Sequence, residues 1–231
     1  MKKKLIITID GPAGAGKSTV SKILAKKLGY IYLDTGALYR ALAYKTVKQK
    51  IKFNEPSALE SLCSSTEVVL KNAGGRMKVY VDDEDVEDKI RTEEIGLVAS
   101  KISTFAVVRQ KLLSLQREAG RQGGIVAEGR DMGSVVFPEA DCKFYLDATL
   151  GERTKRRHHE LLGKGASAEY ESIRKDMLSR DKQDTQRAIA PLKAPEGAVI
   201  IDSDNLSIDQ VVEKIFSTIS LKSDKTNLKI T

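Results

Sequence analysis

Eight consecutive residues, Gly11-Pro12-Ala13-Gly14-Ala15-Gly16-Lys17-Ser18, carry the most specific chemistry near the start of the chain. They fit G-x-x-x-x-G-K-[ST] at every required position. Glycines and other small residues let the backbone curl until several N–H groups face one concavity, where they can hold phosphate oxygens. A helix opening at that point adds the partial positive charge of its N-terminus. Lys17 can then reach β- and γ-phosphates and the Ser18 hydroxyl can ligate Mg2+, with Thr19 completing the nucleotide-binding stretch. The motif follows Leu5-Ile6-Ile7-Thr8-Ile9, which has the character of a buried parallel strand, and precedes a helical pattern of Val20, Ile23, Leu24 and Leu28 that Gly29 ends. GTPases, ATPases and small-molecule kinases all use such a loop, so other residues must decide the reaction.

Arginine supplies the second theme. Tyr30–Leu33 reads as a strand, and Asp34-Thr35-Gly36-Ala37-Leu38-Tyr39-Arg40 places Arg40 about one helical turn beyond Gly36. Ile125-Val126-Ala127 reads as a core strand running into Glu128-Gly129-Arg130-Asp131-Met132-Gly133. In a parallel α/β sheet such strand ends open onto one crevice. Farther on, Arg180, Asp184 and Arg187 stand at i, i+4 and i+7, along one face of a helix. Arg153, Arg156 and Arg157 share another helical face. Taken singly, each group also fits a solvated, salt-bridged surface that adds little stability.

The elements that must position these groups follow from periodicity. Helices are expected at about 37–50, 93–102, 105–120 and 207–220, and strands at 142–146 and 198–201. The helices at 93–102 and 105–120 are parted near Ser103-Thr104, and Gly123-Gly124 ends the second. Val68-Val69-Leu70 and Met77–Val81 flank Asn72-Ala73-Gly74-Gly75 as a β-hairpin, which suggests an insertion and not another layer of the parallel sheet. Strands alternating with helices make the fold class α/β with a central parallel sheet. The polar stretch 222–231 is expected to fray.

The 231 residues are 41% hydrophobic and 31% charged, ordinary for a globular protein and too apolar for a disordered one. No apolar run reaches membrane-spanning length. Met1-Lys2-Lys3-Lys4 is basic, but Asp10-Gly11-Pro12 breaks the apolar stretch behind it, so no secretory segment is expected. Cys63 and Cys142 form no CxxC pair, which argues against a disulfide framework or a zinc site and for a cytoplasmic setting. The net charge of +7 fits nucleic-acid binding as well as a pocket of arginines for small phosphorylated ligands.

Taken together, the loop at 11–18, Asp34–Arg40, Ile90-Arg91-Thr92-Glu93-Glu94, Gly129-Arg130-Asp131-Met132-Gly133-Ser134-Val135-Val136-Phe137-Pro138 and Arg180-Asp181…Asp184…Arg187…Ala190-Pro191-Leu192 resemble the bacterial cytidylate kinases, over about residues 4–220. The resemblance implies a P-loop nucleoside monophosphate kinase domain at 1–221, with an acceptor-binding insert at about 36–110 and a short helical lid at about 151–167. It implies transfer of the ATP γ-phosphoryl to CMP or dCMP, with Mg2+ as cofactor and neither nucleic acid nor membrane as partner, in a monomer. Lys17, Arg130, Arg180 and Arg187 would be catalytic. Arg156 and Arg157 would join the loop at ATP, and Gly163-Lys164-Gly165 would let the lid move. Arg40, Arg130 and Arg187 would hold the acceptor phosphate, with Thr35 beside them. Ser100, Arg109 and Asp131 would read the base, and Asp184 the sugar hydroxyls. Cytosine presents an amino donor beside two acceptors, which a carboxylate and an arginine complement. Nine positions separate Ser100 from Arg109, so the helix break between them is required if both face one base. Many members have Asp where this chain has Glu128, and Ser where it has Thr35. An acidic group for Mg2+ or its waters and a hydroxyl are both retained.

Two other readings remain open at this level: a P-loop kinase with a different acceptor such as UMP or shikimate, and a nucleotide-responsive RNA-binding module. Lys17→Ala is expected to abolish turnover and leave the circular dichroism spectrum unchanged; wild-type-like turnover in that variant would remove the phosphate-loop argument.

Overall fold

Ile6–Asp10 forms β1, and four of its five side chains are buried because the strand runs through the middle of the sheet. The computed structural model describes residues 4–52, 55–163, 165, 167 and 169–226. Residues 1–3 of the basic N-terminus and Lys164 of the expected hinge loop lie outside them. After β1 come α1 (Lys17–Leu28), β2 (Ile31–Asp34), α2 (Thr35–Lys48), α3 (Pro56–Ser65), β3 (Val68–Ala73), β4 (Arg76–Val81) and β5 (Glu84–Asp85). Then follow α4 (Glu93–Ile102), α5 (Ala106–Gly120), β6 (Ile125–Gly129), a π-helical turn at Met132–Val136, β7 (Cys142–Asp147), α6 (Leu150–Gly163), α7 (Tyr170–Gln186), β8 (Val199–Asp202) and α8 (Ile208–Thr226).

The sheet runs in the order β3-β4-β2-β6-β1-β7-β8, with β5 paired to β4. Strands β2, β6, β1, β7 and β8 are mutually parallel. Their register aligns Asp10 with Gly129 and Tyr145, and Asp34 with Glu128, so the chemistry-bearing residues stand at one carboxyl edge. α1 and α8 pack with β1, β7 and β8 around Leu24, Phe144 and Ile215. The helices α2 to α5 pack with the hairpin around Leu38, Leu59, Ile102 and Leu112.

Several elements differ from the sequence expectation, among them α3, which was not expected, and β3, which runs on through Asn72 and Ala73. The β3–β4 hairpin, expected apart from the parallel sheet, continues it: Tyr32 of β2 pairs with Arg76 of β4 in parallel sense. Helix α2 begins at Thr35, two residues early, because Asp34 ends β2 and also caps the helix, its Oδ1 accepting from the Ala37 N–H at 3.0 Å. Helix α8 runs to Thr226, past the point where the polar tail was expected to fray, and 227–231 lie outside the described residues. The break between α4 and α5 falls at Ser103–Phe105, where it was expected.

Phe144 is 1% exposed at the centre of the first core cluster. Phe144→Ala should lower stability by about 3–5 kcal/mol in urea denaturation, through lost transfer energy and the cavity left behind.

Candidate functional site

The phosphate loop takes its shape from close contacts that only glycine permits. Gly11 has φ 147°, and a Cβ there would lie 2.0 Å from the Leu146 carbonyl oxygen of β7. Gly16 caps α1 in the left-handed region, so the first N–H groups of the helix face the cavity with no side chain accepting from them. Lys17 is buried and donates to the Pro12 carbonyl at 2.7 Å. Burial, reinforced by nearby Arg130, pushes the Lys17 ammonium down to about 7, against the pull of Glu128 and Asp10. Such a group gains most when an anion arrives.

The loop after β6 is held from below by Asp10. The fully buried Asp10 carboxylate accepts from the N–H groups of Met132 (2.7 Å) and Gly133 (2.8 Å), the first two residues of the π turn. Burial raises its carboxyl to about 6, although the two N–H bonds oppose the shift. Gly129 lets the strand end approach Thr35, whose hydroxyl donates to the Glu128 carbonyl at 2.6 Å; a Cβ on Gly129 would sit 2.7 Å from that hydroxyl. The Glu128 carboxylate is buried and accepts from the Tyr32 hydroxyl. Burial, with Asp34 nearby, raises it, while Lys17 and the Ser18 hydroxyl act in the opposite direction.

Arginines crowd the space above this floor. Arg130 Nε donates to Asp184 Oδ2 at 2.9 Å. Arg187 lies 3.6 Å from Asp131 and 3.9 Å from Asp184, within ion-pair range but beyond hydrogen-bonding distance. Its Nη2 and the Nε of Arg180 are buried N–H groups without a hydrogen-bond partner. Burial, then the like charges of Arg130 and Arg40, push Arg180 down to about 10. Burial also lowers Arg40, which Asp34 counterbalances. Burial would raise Asp34 itself, but Arg40 and Arg91 hold it below the usual carboxylate range, and Arg91 bonds it at 2.8 Å. Unsatisfied buried donors among like charges are costly unless an anion completes them.

At the other wall, Arg109 is buried and bonds the Asp131 carboxylate, while its guanidinium carbon lies 5.7 Å from the centre of the Tyr39 ring. Burial pushes the Tyr39 phenol up to about 12. Ser100 stands near them on α4, where the Gln183 amide of α7 donates to it. The three arginines of α6 are divided. Arg153 is buried, donating to Ala13 O at 3.0 Å and Ala148 O at 2.8 Å and pairing with Asp181 at 2.7 Å. Arg156 is tied to Ser203 at 2.6 and 3.0 Å, and Arg157 to Glu93 and Glu160.

A cavity of about 1390 Å³ runs between these walls. It is lined by the loop from Ala13 to Thr19, by Thr35, Arg40, Ser100, Arg109, Glu128, Arg130, Asp131, Asp184 and Arg187, and by Arg156, Arg157 and Arg180. Gly11 and Pro12 shape the loop from beneath. Thus the groups singled out in the sequence converge on one space. Arg153 departs from its neighbours and secures the phosphate loop from behind. Asp10, Tyr32, Tyr39 and Gln183 were not singled out; the turn signal at Asp10-Gly11 marked the place of the first without its role.

The family model for cytidylate kinase matches residues 7–221. A cytidylate kinase of Citrifermentans bemidjiense is 48% identical over 215 residues, covering 93% of this chain and 92% of that protein. One from Caldicellulosiruptor saccharolyticus is 45% identical over 213 residues, covering 92% and 94%. In fold alone, the chain is similar to the crystal structure of an uncharacterized protein from Eubacterium ventriosum, with a TM-score of 0.50, 11% identity, and coverage of 94% and 99%.

The Asp10 carboxyl titrates near 6 in the fold against an ordinary 3.8, so the folded chain binds this proton more tightly than the unfolded chain. Its favourable contribution is complete below the unfolded value and is lost as pH rises through the folded one. Relative to Asp10→Asn, the parent should therefore lose up to about 3 kcal/mol of stability between roughly pH 4 and 7. Urea titrations of both proteins across that range check this, and parallel curves would refute it.

Proposed function

This chain belongs to the cytidylate kinase family and phosphorylates CMP and dCMP with ATP, and we propose that the transfer is direct and in line, between two phosphates held in the one cavity. The observation that carries the mechanism is the half-buried arginine cluster facing the phosphate loop, with donors on Arg180 and Arg187 still unsatisfied. An acceptor monophosphate supplies the missing oxygens. Arg40, Arg130 and Arg187 would hold it, each guanidinium able to fork onto two oxygens. Lys17 and Arg180 would neutralise charge on the transferring group. An acceptor phosphate oxygen is already anionic, so no general base is required; positioning and charge stabilisation suffice.

The remaining assignments follow the same division of the cavity. Gly11 to Thr19 would cradle the donor phosphates. Arg156, anchored at Ser203, would meet ATP, and Arg157 would exchange Glu93 for phosphate oxygens as the lid closes. Asp131 and Arg109 would read cytosine with Ser100, and Asp184 the sugar. Residues about 36–110 would form the acceptor-binding insert and about 151–167 the lid. Oxygen donors suited to Mg2+ stand at the loop in Ser18 and Glu128, and no group of three or more His, Cys, Asp or Glu side chains placed to hold a metal occurs among the described residues. That sparse set fits an ion held largely by phosphates and water. Ser18 would hold it, and Glu128, restrained by Tyr32, would orient its waters. Bound there, Mg2+ would offset phosphate charge. No helix among the described residues is long and apolar enough to cross a membrane. A monomer working in the cytoplasm belongs to the same proposal.

ADP release from Mg·ATP should be fast with CMP and dCMP, weak with UMP and negligible without acceptor. Uracil reverses the donor and acceptor pattern at two ring positions and would set a carbonyl oxygen against the Asp131 carboxylate, a mismatch that costs on the order of 10²- to 10⁵-fold. Release that ignores the acceptor would mean an ATPase and would overturn the arginine assignments.

A further inference from the structure

Serine and threonine inside helices commonly donate their hydroxyl to the carbonyl one turn back. Thr46, Ser64, Thr154, Thr185 and Thr218 all do so here, at 2.7–2.9 Å. Ser100 of α4 departs from this pattern. Its Oγ accepts from Gln183 Nε2 at 2.9 Å, and among the described residues its own proton has no protein acceptor. Ser100 lines the cavity, whereas Gln183, on the phosphate-binding helix α7, does not.

The amide orientation is fixed by its second bond. Gln183 Nε2 also lies 2.6 Å from the Ser100 carbonyl oxygen, which can only accept, so the same N–H2 group must donate to both oxygens. That carbonyl lacks its ordinary helical partner because α4 ends: the Thr104 N–H bonds Lys101 O, and the Ser103 hydroxyl takes part of the Ser100 carbonyl. Gln183 thereby closes the end of α4 and occupies a lone pair of the Ser100 hydroxyl in one contact.

We propose that Gln183 is a positioning residue for the acceptor base: by donating to Ser100, it holds that hydroxyl off its own helix and keeps its proton for an acceptor atom of the pyrimidine. The inference rests on the reading of Ser100 as a base contact. It also joins α7, which carries Arg180, Asp184 and Arg187, to the wall that meets the base. The bond to the carbonyl is a capping contact that serves the fold; the bond to the hydroxyl serves the substrate, and the two can be separated by experiment.

Gln183→Met keeps the length of the side chain and removes both donors. Gln183→Glu keeps the shape, can only accept, and stands in if the methionine variant does not fold. Steady-state kinetics and melting temperature would be measured for both, for Ser100→Ala, and for the double variants. The expected result is a rise of about 3- to 10-fold in the CMP KM of the Gln183 variants, the size of one neutral hydrogen bond. The ATP KM should stay in place, and the CMP effect should vanish when Ser100 is already alanine. Three outcomes overturn the proposal. The Gln183 variants could melt lower with an unchanged CMP KM, which leaves a capping role alone. Their effect could persist undiminished in the Ser100→Ala background. Or Ser100→Ala could leave the CMP KM of an active enzyme unchanged, in which case the base-contact reading falls too. A parent protein without CMP-dependent ADP release would instead refute the kinase reading itself.

Discussion

One buried carboxylate links the two halves of the site. Asp10 is the last residue of β1, so the phosphate loop begins at the next residue; its oxygens meanwhile hold the amides of Met132 and Gly133, just beyond Glu128–Asp131. The loop that would grip the donor and the loop that would meet the acceptor are thereby fixed to each other through a single side chain. The proposed in-line transfer would tolerate little error in the distance between two phosphates, and these bonds help to fix it. The parallel register of β1 and β6 brings the two loops to one edge, and Asp10 sets their fine alignment.

Charge is the second constraint. Several guanidinium groups and Lys17 line one cavity, and each alone would resist burial. Asp34, Asp131 and Asp184 pair with Arg91, Arg109, Arg130 and Arg187 at the distances of ion pairs and hydrogen bonds. These partners hold the arginines in place, so a phosphate bound as proposed would demand little reorganisation. Arg180, lowered by burial and by its cationic neighbours, keeps an unsatisfied Nε, as Arg187 keeps an unsatisfied Nη2. Under the proposed function, the transferring phosphoryl group would supply the stabilisation of Arg180.

Features written over short stretches were legible in the sequence. The phosphate loop, the i, i+4, i+7 spacing of Arg180, Asp184 and Arg187, and the break between α4 and α5 depend on neighbours a few residues away, which periodicity and turn chemistry report. The sheet edge was misjudged: β3 and β4 announce a hairpin, but only the long-range pairing of Tyr32 with Arg76 reveals that it extends the parallel sheet. Asp10 and Gln183 escaped for the same reason. Their partners lie 122 or 123 and 83 residues away, and a lone Asp before a glycine or a lone Gln in a charged helix reads as a turn or a solvated face. Arg153 shows the opposite failure. Its spacing with Arg156 and Arg157 suggested a shared role, while tertiary contacts moved it behind the loop.

That mooring of Arg153 also determines what kind of lever α6 is. The root of the helix is fastened to Ala13 of the phosphate loop, to Ala148 just before the helix and to Asp181 of α7. Any swing of α6 therefore has its fulcrum about one turn from Arg156 and Arg157, with the long arm reaching toward Gly163. A wide sweep at the distal end translates into a short, well-aimed stroke at the arginines. If α6 is the lid proposed above, large excursions of its far end would coexist with small displacements at the Arg156 and Arg157 guanidinium groups.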